Sequence, residues 1–460
     1  NINRINRMKK IHHYALTLLF SGAAALQAES LSLITGEGGE LSDTGWNWSD
    51  SAMWTPSVSE VAGNGLTIDA VTTTQILSTI SDGFTAGDVN VMIKQNAPAA
   101  SSGGSGHFTL NIDGNVTFDS LSWMTTSPGW WGSYIKIKSG STLTVRNDLT
   151  VGNSGTNAYF INFSSNGDAN YVGNLAVEGG LNINVTNGVT SHVFYTALDS
   201  FTVNGAVSMI TQNAGDAGRW RIGNRNTSIG GLSGASSSNH QLYIDGDTTV
   251  TFTNKGDYSW NGLITDADSG AANSASFNIV MDASATGRQT MTLTGGYLND
   301  ITLNGGKFVL SSANATTGKL SLNGGFFGTA DGKTAVNSAE WNSGGLLFDM
   351  AALENGYKIR IAGEFKKAGS GQVEIDFGGL NGEDYIGYTF GLITAGSLNG
   401  FDTGDANADF AAKNLYGALA EFAWNDGTLT VTFGQIPEPA AFAALFGAAA
   451  MALALRRKRA

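Results

Sequence analysis

Apolar and polar residues alternate with a period of two through most of this chain, and glycine keeps interrupting the alternation. Phe108-Thr-Leu-Asn-Ile-Asp-Gly114-Asn-Val-Thr-Phe118 is one such unit, and Asn174-Leu-Ala-Val-Glu-Gly-Gly180 is another. Leu242-Tyr-Ile-Asp-Gly246, Ile301-Thr-Leu-Asn-Gly-Gly306 and Leu320-Ser-Leu-Asn-Gly-Gly325 repeat the form. Successive side chains of a strand point to opposite faces, so the pattern predicts many strands that each bury one face. Gly or Asn at the junctions permits the positive φ that a sharp bend needs.

Two topologies fit. An Asx-Gly between alternating strands is the strongest short-range hairpin signal and would build a hairpin-rich β-sandwich array. The units also recur, however: Gly179, Gly205 and Gly246 are 26 and 41 residues apart, and Gly295, Gly305 and Gly324 are 10 and 19 apart. Recurrence on this scale points to a solenoid, in which each coil covers the hydrophobic face of the next. The expected fold is therefore all-β, a right-handed parallel β-helix over 64–370, with the hairpin array as the alternative. Inserted loops are expected near 95–106, 123–133, 212–240 and 254–275, which are rich in Gly, Ser and Asn.

A solenoid needs covered ends, because an open terminal coil presents unpaired strand edges. Three tryptophans in nine residues, Trp46, Trp48 and Trp54, predict an aromatic N-terminal cap over 29–63. Residues 371–434 change character, with Val373-Glu-Ile-Asp-Phe377, the hairpin turn Asp426-Gly427 and a short helix expected within 408–420. They predict an antiparallel C-terminal cap.

The two ends carry a different signal. Met8-Lys9-Lys10, a short apolar run and small residues after it read as a secretory signal peptide over 8–28, cleaved after Ala28 or Ala25. Residues 1–7 precede the first methionine and read as an upstream extension. The last stretch, 436–460, has three parts: Pro437-Glu438-Pro439, an uncharged apolar run at 440–455, and Arg456-Arg457-Lys458-Arg459. The run predicts a transmembrane helix, and the basic cluster is its membrane stop on the cytoplasmic side. Sixteen helical residues span about 24 Å, short of the ~30 Å hydrocarbon core, which suits a temporary signal better than a lasting anchor.

This tripartite tail resembles the PEP-CTERM sorting signal of Gram-negative bacteria, and the tryptophan spacing near the N-terminus is similar to the start of PEP-CTERM and autotransporter-type passenger proteins. The resemblance implies that Pro437, Glu438 and Pro439 are the sorting motif. It further implies that exosortase, a membrane transpeptidase-like protease, processes the tail, and that the protein is delivered through the inner membrane to the cell surface or the extracellular polysaccharide matrix.

Composition narrows the chemistry. Residues 29–435 carry 37 acidic against 17 basic residues, a net charge of −20, which repels nucleic acid and anionic membranes. Membrane contact is therefore expected only through the C-terminal helix before processing. The chain has no cysteine, so thiol nucleophiles, cysteine-based zinc sites and iron–sulfur clusters are excluded. His107, His192 and His240 are scattered beyond the signal peptide, and no Gly-x-Ser-x-Gly elbow is present. Thr265-Asp-Ala-Asp-Ser-Gly270, Asp245-Gly-Asp247 and Glu383-Asp384 hold oxygens at turn spacing but lack the downstream bidentate carboxylate of a calcium loop. Neither a catalytic residue, a metal site nor a cofactor is expected.

Two surface clusters remain. Trp123, Trp130 and Trp131, with Tyr134, bracket Pro128-Gly129 and are either a loop folded back over the solenoid flank or a glycan contact, since sugar C–H faces stack on exposed rings. Arg219, Arg221 and Arg225 around Trp220 form the densest basic patch, which pairs locally with neighbouring carboxylates or, alternatively, holds an acidic sugar through bidentate contacts. The expected function is that of a non-enzymatic surface or matrix structural protein associated with exopolysaccharide. The alternatives are a glycan-binding adhesin and a polysaccharide lyase or hydrolase on the same scaffold; the latter rests on fold analogy alone.

Overall fold

The computed structural model describes residues 30–436 and Met451, apart from 34–45, 56–60, 62, 73–75, 96–107, 127–132, 154–158, 164–168, 186–191, 197, 212–217, 224–225, 235–239, 267–275, 296–297, 313–315, 331–333 and 350–352. The signal peptide region 8–28 lies outside the described residues. The chain is all-β. Thirty-three strands among the described residues join one hydrogen-bonded network, and nearly every pairing in it is parallel.

Parallel pairing sorts the strands into ladders that run along the molecule. One ladder passes through Phe118, Val145, Val177, Val203, Ile229, Phe252, Met281, Leu303, Leu322 and Trp341, each paired in register with the next. All ten are buried. Residues far apart in sequence thus form a single apolar column, and burying each such side chain contributes about 1.5–3 kcal/mol. A second ladder carries Leu121, Leu149, Leu181, Val207 and Leu232 in register. A third links the strands Ile76–Ser81, Phe108–Asp113, Ser133–Ile137, Tyr159–Phe163, His192–Thr196, Gly218–Gly223 and His240–Asp245.

The Asx-Gly junctions mostly do not make hairpins. His240–Asp245 and Thr248–Phe252 flank Gly246, yet each pairs with strands of neighbouring passes and not with the other. A two-residue hairpin of the favoured type needs positive φ at both central residues. At this junction Gly246 has a positive φ, 82°. At Asp426-Gly427 both do, at 46° and 73°, and there Ala418–Asn425 folds back antiparallel on Thr428–Gln435.

Many junction glycines serve a purpose other than positive φ. A Cβ on Gly325 would lie 2.5 Å from the carbonyl oxygen of Gly305, and one on Gly205 would lie 2.8 Å from that of Gly179. Neither glycine has a positive φ. Glycine is needed there because adjacent backbones approach too closely for any side chain. Asparagines stack beside these columns: the Asn323 amide donates to Asn304 at 3.0 Å and the Asn342 amide to Asn323 at 2.9 Å.

Turn aspartates tie one pass to the next. Asp82 accepts from the Asn115 backbone N–H at 2.7 Å, Asp148 from Gly180 at 2.7 Å, Asp257 from Arg288 at 2.8 Å and Asp300 from Lys319 at 2.8 Å. Asp247 accepts from both the backbone and the hydroxyl of Ser276. The backbone donors of Asn115, Gly180, Ser276 and Arg288 stand at the starts of strands, and that of Lys319 lies within Thr316–Thr329.

The N-terminal tryptophans sit on the first passes. Trp48 stacks on Phe118 at 6.2 Å and meets Trp54 edge-on at 6.1 Å, and both indoles are buried. Ser30–Leu33 pairs parallel with Gly65–Thr72 and antiparallel with Trp54–Thr55.

Three sequence expectations need correction. Parallel stacking does not stop at 370: Val373–Asn381 pairs parallel with Ala335–Leu347 and with Phe410–Tyr416. Antiparallel pairing at this end is confined to Thr389–Asn399, Ala418–Asn425 and Thr428–Gln435. The helix within 408–420 is absent; a 3-10 turn at Ala406–Ala408 leads into the strand Phe410–Tyr416. The open edge of the preceding pass demands a partner, and Phe410 packs flat on Phe401 at 5.5 Å, which together override helix propensity. Finally, the Gly- and Ser-rich windows at 123–133, 212–240 and 254–275 contain strands, including Asn226–Ser233 and Tyr258–Asp266. Gly231 is required there because the Tyr258 ring fills the space a side chain would take.

Candidate functional site

The sorting tail leaves from the last strand. Thr428–Gln435 is hydrogen-bonded on both edges, to Thr389–Asn399 and to Ala418–Asn425. Its alternate residues Leu429, Val431 and Phe433 are buried, and Phe433 meets Phe377 at 5.4 Å and Phe390 at 5.9 Å. Gln435 ends the strand, and Ile436 after it is exposed. The strand is held on both edges as far as Phe433 and on one edge through Gln435, where the tail begins. Pro437, Glu438, Pro439, Arg456, Arg457, Lys458 and Arg459 lie outside the described residues, as does 440–455 apart from Met451. Among the described residues no helix is long and apolar enough to cross a membrane.

The aromatic cluster at 123–131 is not one surface. Trp123 is fully buried, with its ring 5.3 Å from Phe108, so it cannot stack on a sugar. The strand Val116–Thr126 simply continues past the expected loop boundary, and Leu121, Trp123 and Thr125 form its inward face. Trp130 and Trp131 lie outside the described residues. Tyr134 is half-buried, with the Lys136 ammonium 5.9 Å from its ring centroid.

In the basic cluster, Trp220 points inward against Phe201 at 5.7 Å, while Arg219 and Arg221 alternate to the outer face. The Arg219 guanidinium sits 5.4 Å from the Tyr243 ring centroid, a cation–π contact. Arg225 lies outside the described residues. Among the histidines, His107 is outside them, His192 opens a ladder strand, and His240 is a core residue whose burial holds its pKa below the ordinary value. No group of three or more His, Asp or Glu side chains placed to hold a metal occurs among the described residues.

Sequence reasoning missed the carboxylates and amides that couple one pass to the next. Asp376 is buried beside the Lys307 ammonium at 3.0 Å and the Asn414 amide at 2.9 Å. Burial pushes its pKa up, but the Asn414, Gly378 and Lys307 hydrogen bonds outweigh that and leave it below the ordinary value. Lys367 and Asp409 form a second nearly buried pair at 2.5 Å. These partners are 69 and 42 residues apart, so no local spacing could have shown them.

Residues 435–459 match the PEP-CTERM protein-sorting motif. Neither the curated proteins nor the solved structures yield a match to this chain. The fold and the tail together define an all-β protein with a C-terminal export-sorting signal. The motif marks it as an exported, cell-envelope-associated protein sorted by exosortase.

Proposed function

We propose that this chain is a non-enzymatic structural protein of the cell surface or extracellular matrix, wound as a right-handed parallel β-solenoid and associated with exopolysaccharide. The observation that carries the reading is the junction at Gln435: the sorting motif begins at the end of a strand held on both edges to Phe433 and on one edge to Gln435. A removable tail grafted onto a locked strand can be cut without loosening the body. The parallel ladders and the continuous buried column support the solenoid, in which each pass shields the apolar face of its neighbour. The non-enzymatic reading is supported by the use of the acidic side chains. Asp82, Asp148, Asp247 and Asp257 cap strand starts between passes, and Asp300 accepts from Lys319 within a strand. They supply rigidity without disulfides, which suits an extracellular rod.

The test is expression in hosts with and without exosortase, followed by mass spectrometry of the exported C-terminus. The expected product in the exosortase host lacks Arg456–Arg459 and co-fractionates with cell-surface or matrix polysaccharide. An exported protein that keeps the basic cluster in both hosts overturns the processing step. A protein retained inside the cell overturns the whole reading.

A further inference from the structure

Exposed large apolar side chains gather where the sorting tail leaves the body. Ile386, Tyr388, Tyr416, Leu419 and Ile436 are each at least 40% exposed; elsewhere on the body only Leu77 and Ile210 are comparable among the described residues. The fold brings these five together from three segments. Leu419 pairs in register with Gly434, two residues before Ile436. The Gly387 N–H donates to the Phe433 carbonyl at 2.7 Å and the Phe433 N–H to that of Tyr388 at 3.1 Å, so 386–388 runs beside the same strand end. The turn at 416–418 packs on the 3-10 turn Gly382–Tyr385: a Cβ on Gly382 would lie 2.6 Å from that of Ala418. The Tyr388 ring is positioned by stacking on Phe390 at 6.4 Å and by an edge-on contact with Tyr385 at 6.3 Å.

We propose that this apolar end seats in the headgroup layer of a zwitterionic lipid bilayer while the tail is still in place. The inference rests on the sorting-tail reading above and goes beyond it, since the folded body makes the contact and not the tail alone. Chain length carries the argument. Ile436 and Ala440, where the apolar run begins, are four residue steps apart, a reach of about 14 Å at most. A helix over the sixteen residues 440–455 covers about 24 Å of a ~30 Å hydrocarbon core. With the basic cluster held at the cytoplasmic face, such a helix ends about 6 Å inside the outer boundary. The rest of the linker then reaches about 8 Å beyond that boundary, and each headgroup layer is about 5–7 Å thick. The end of the last strand is thus held at the headgroups. That layer favours tyrosine, which has an apolar body and a polar tip. The exposed carboxylates Glu383, Asp384 and Glu421 flank the five residues in sequence, and the body carries a net charge of −20 over 29–435, so an anionic lipid surface is disfavoured.

The chain has no cysteine, so a single introduced cysteine can carry a nitroxide label. Tyr388→Cys, Tyr416→Cys and Leu419→Cys report on the patch; Asn226→Cys and Thr249→Cys, exposed on the flank of the middle passes, are controls. Each labelled full chain is reconstituted into phosphatidylcholine vesicles, and electron paramagnetic resonance reads its accessibility to membrane-soluble oxygen and to a water-soluble nickel chelate. The patch labels are expected to show a several-fold higher ratio of oxygen to chelate accessibility than the controls, and to lose most of it in phosphatidylglycerol vesicles. Adding Tyr388→Ser and Tyr416→Ser to the Leu419→Cys chain should return that label to the control ratio, with an unchanged circular dichroism spectrum. Patch labels as wet as the controls, or a ratio kept in full by the double serine variant or in phosphatidylglycerol, would overturn the proposal. Protection from both reagents, which a second copy on the patch would give, overturns it equally. Wet patch labels with a normally trimmed exported C-terminus defeat this inference alone, whereas protected labels with an untrimmed exported product defeat the processing step alone.

Discussion

Gln289 shows how a single side chain repairs a parallel stack. It is fully buried, and its amide pairs with both backbone groups of Leu232: the carboxamide oxygen accepts from the N–H at 2.9 Å and the nitrogen donates to the carbonyl at 2.9 Å. The glutamine thus imitates a strand's own peptide group where the pass containing Thr248–Phe252 bends away before Tyr258. Gln289→Leu keeps the volume but abandons two buried polar groups. Each such orphan costs about 1–3 kcal/mol, so the urea midpoint should fall clearly, by the equivalent of about 2–6 kcal/mol for the pair. Gln289→Glu should be at least as harmful, because a carboxylate cannot donate to the Leu232 carbonyl. A wild-type midpoint in both variants would refute this role.

Strand and turn elements were legible in the sequence to the extent that their cause is local. Period-two alternation located the ladder strands at Phe108–Asp113, Asn174–Val177 and Ile301–Leu303, because inward residues must be apolar wherever they stack. The sorting motif was legible for the same reason, being linear. Pairing partners were not legible, since Asp-Gly at 426–427 and Asp-Gly at 245–246 look alike, yet only the first joins two strands that pair with each other. Trp123 was misplaced because nothing within ten residues says that the strand continues; its inward position is set by partners such as Val151 on the next pass. Two glycine substitutions separate the two causes. Gly427→Ala places an ordinary residue at φ 73° with no neighbour closer than 3.5 Å and should cost about 1–2 kcal/mol of backbone strain. Gly325→Ala has no such strain but forces the Gly305 backbone away, and overpacking of this kind costs about 1–3 kcal/mol. Differential scanning calorimetry should find both destabilised. Hydrogen exchange should distinguish them: the first loosens only the terminal hairpin, the second the passes around Met281, Leu303 and Leu322. Identical exchange patterns would mean that the glycine columns are not close-packed.

At the scale of the molecule, the carboxylates recurring from pass to pass make stability depend on pH in two steps of one sign. His240 is buried without the water that favours its charged form, so its folded pKa lies below the ordinary 6.5. The unfolded chain therefore takes up the proton first. Stability from this residue is complete above about pH 6.5 and is lost as pH falls from there through the folded value. The carboxylates act lower. The Ser276 hydroxyl and backbone N–H hold Asp247 down, the Ser284 backbone N–H and hydroxyl do the same for Asp282, and Lys319 and Lys366 do so for Glu340. Unfolded carboxyls titrate near 3.9 to 4.3, so this contribution is complete above that range and disappears as pH falls through the depressed folded values. The Asp247 and Glu340 bonds join one pass to another, so acid loosens those two joints. The urea midpoint should thus decline once below about pH 6.5 and again, more steeply, below about pH 4. The upper step should vanish in His240→Gln while the lower step stays. A midpoint that rises on acidification, as relief of a net charge of −20 alone would produce, would show that diffuse repulsion outweighs the bonds between passes.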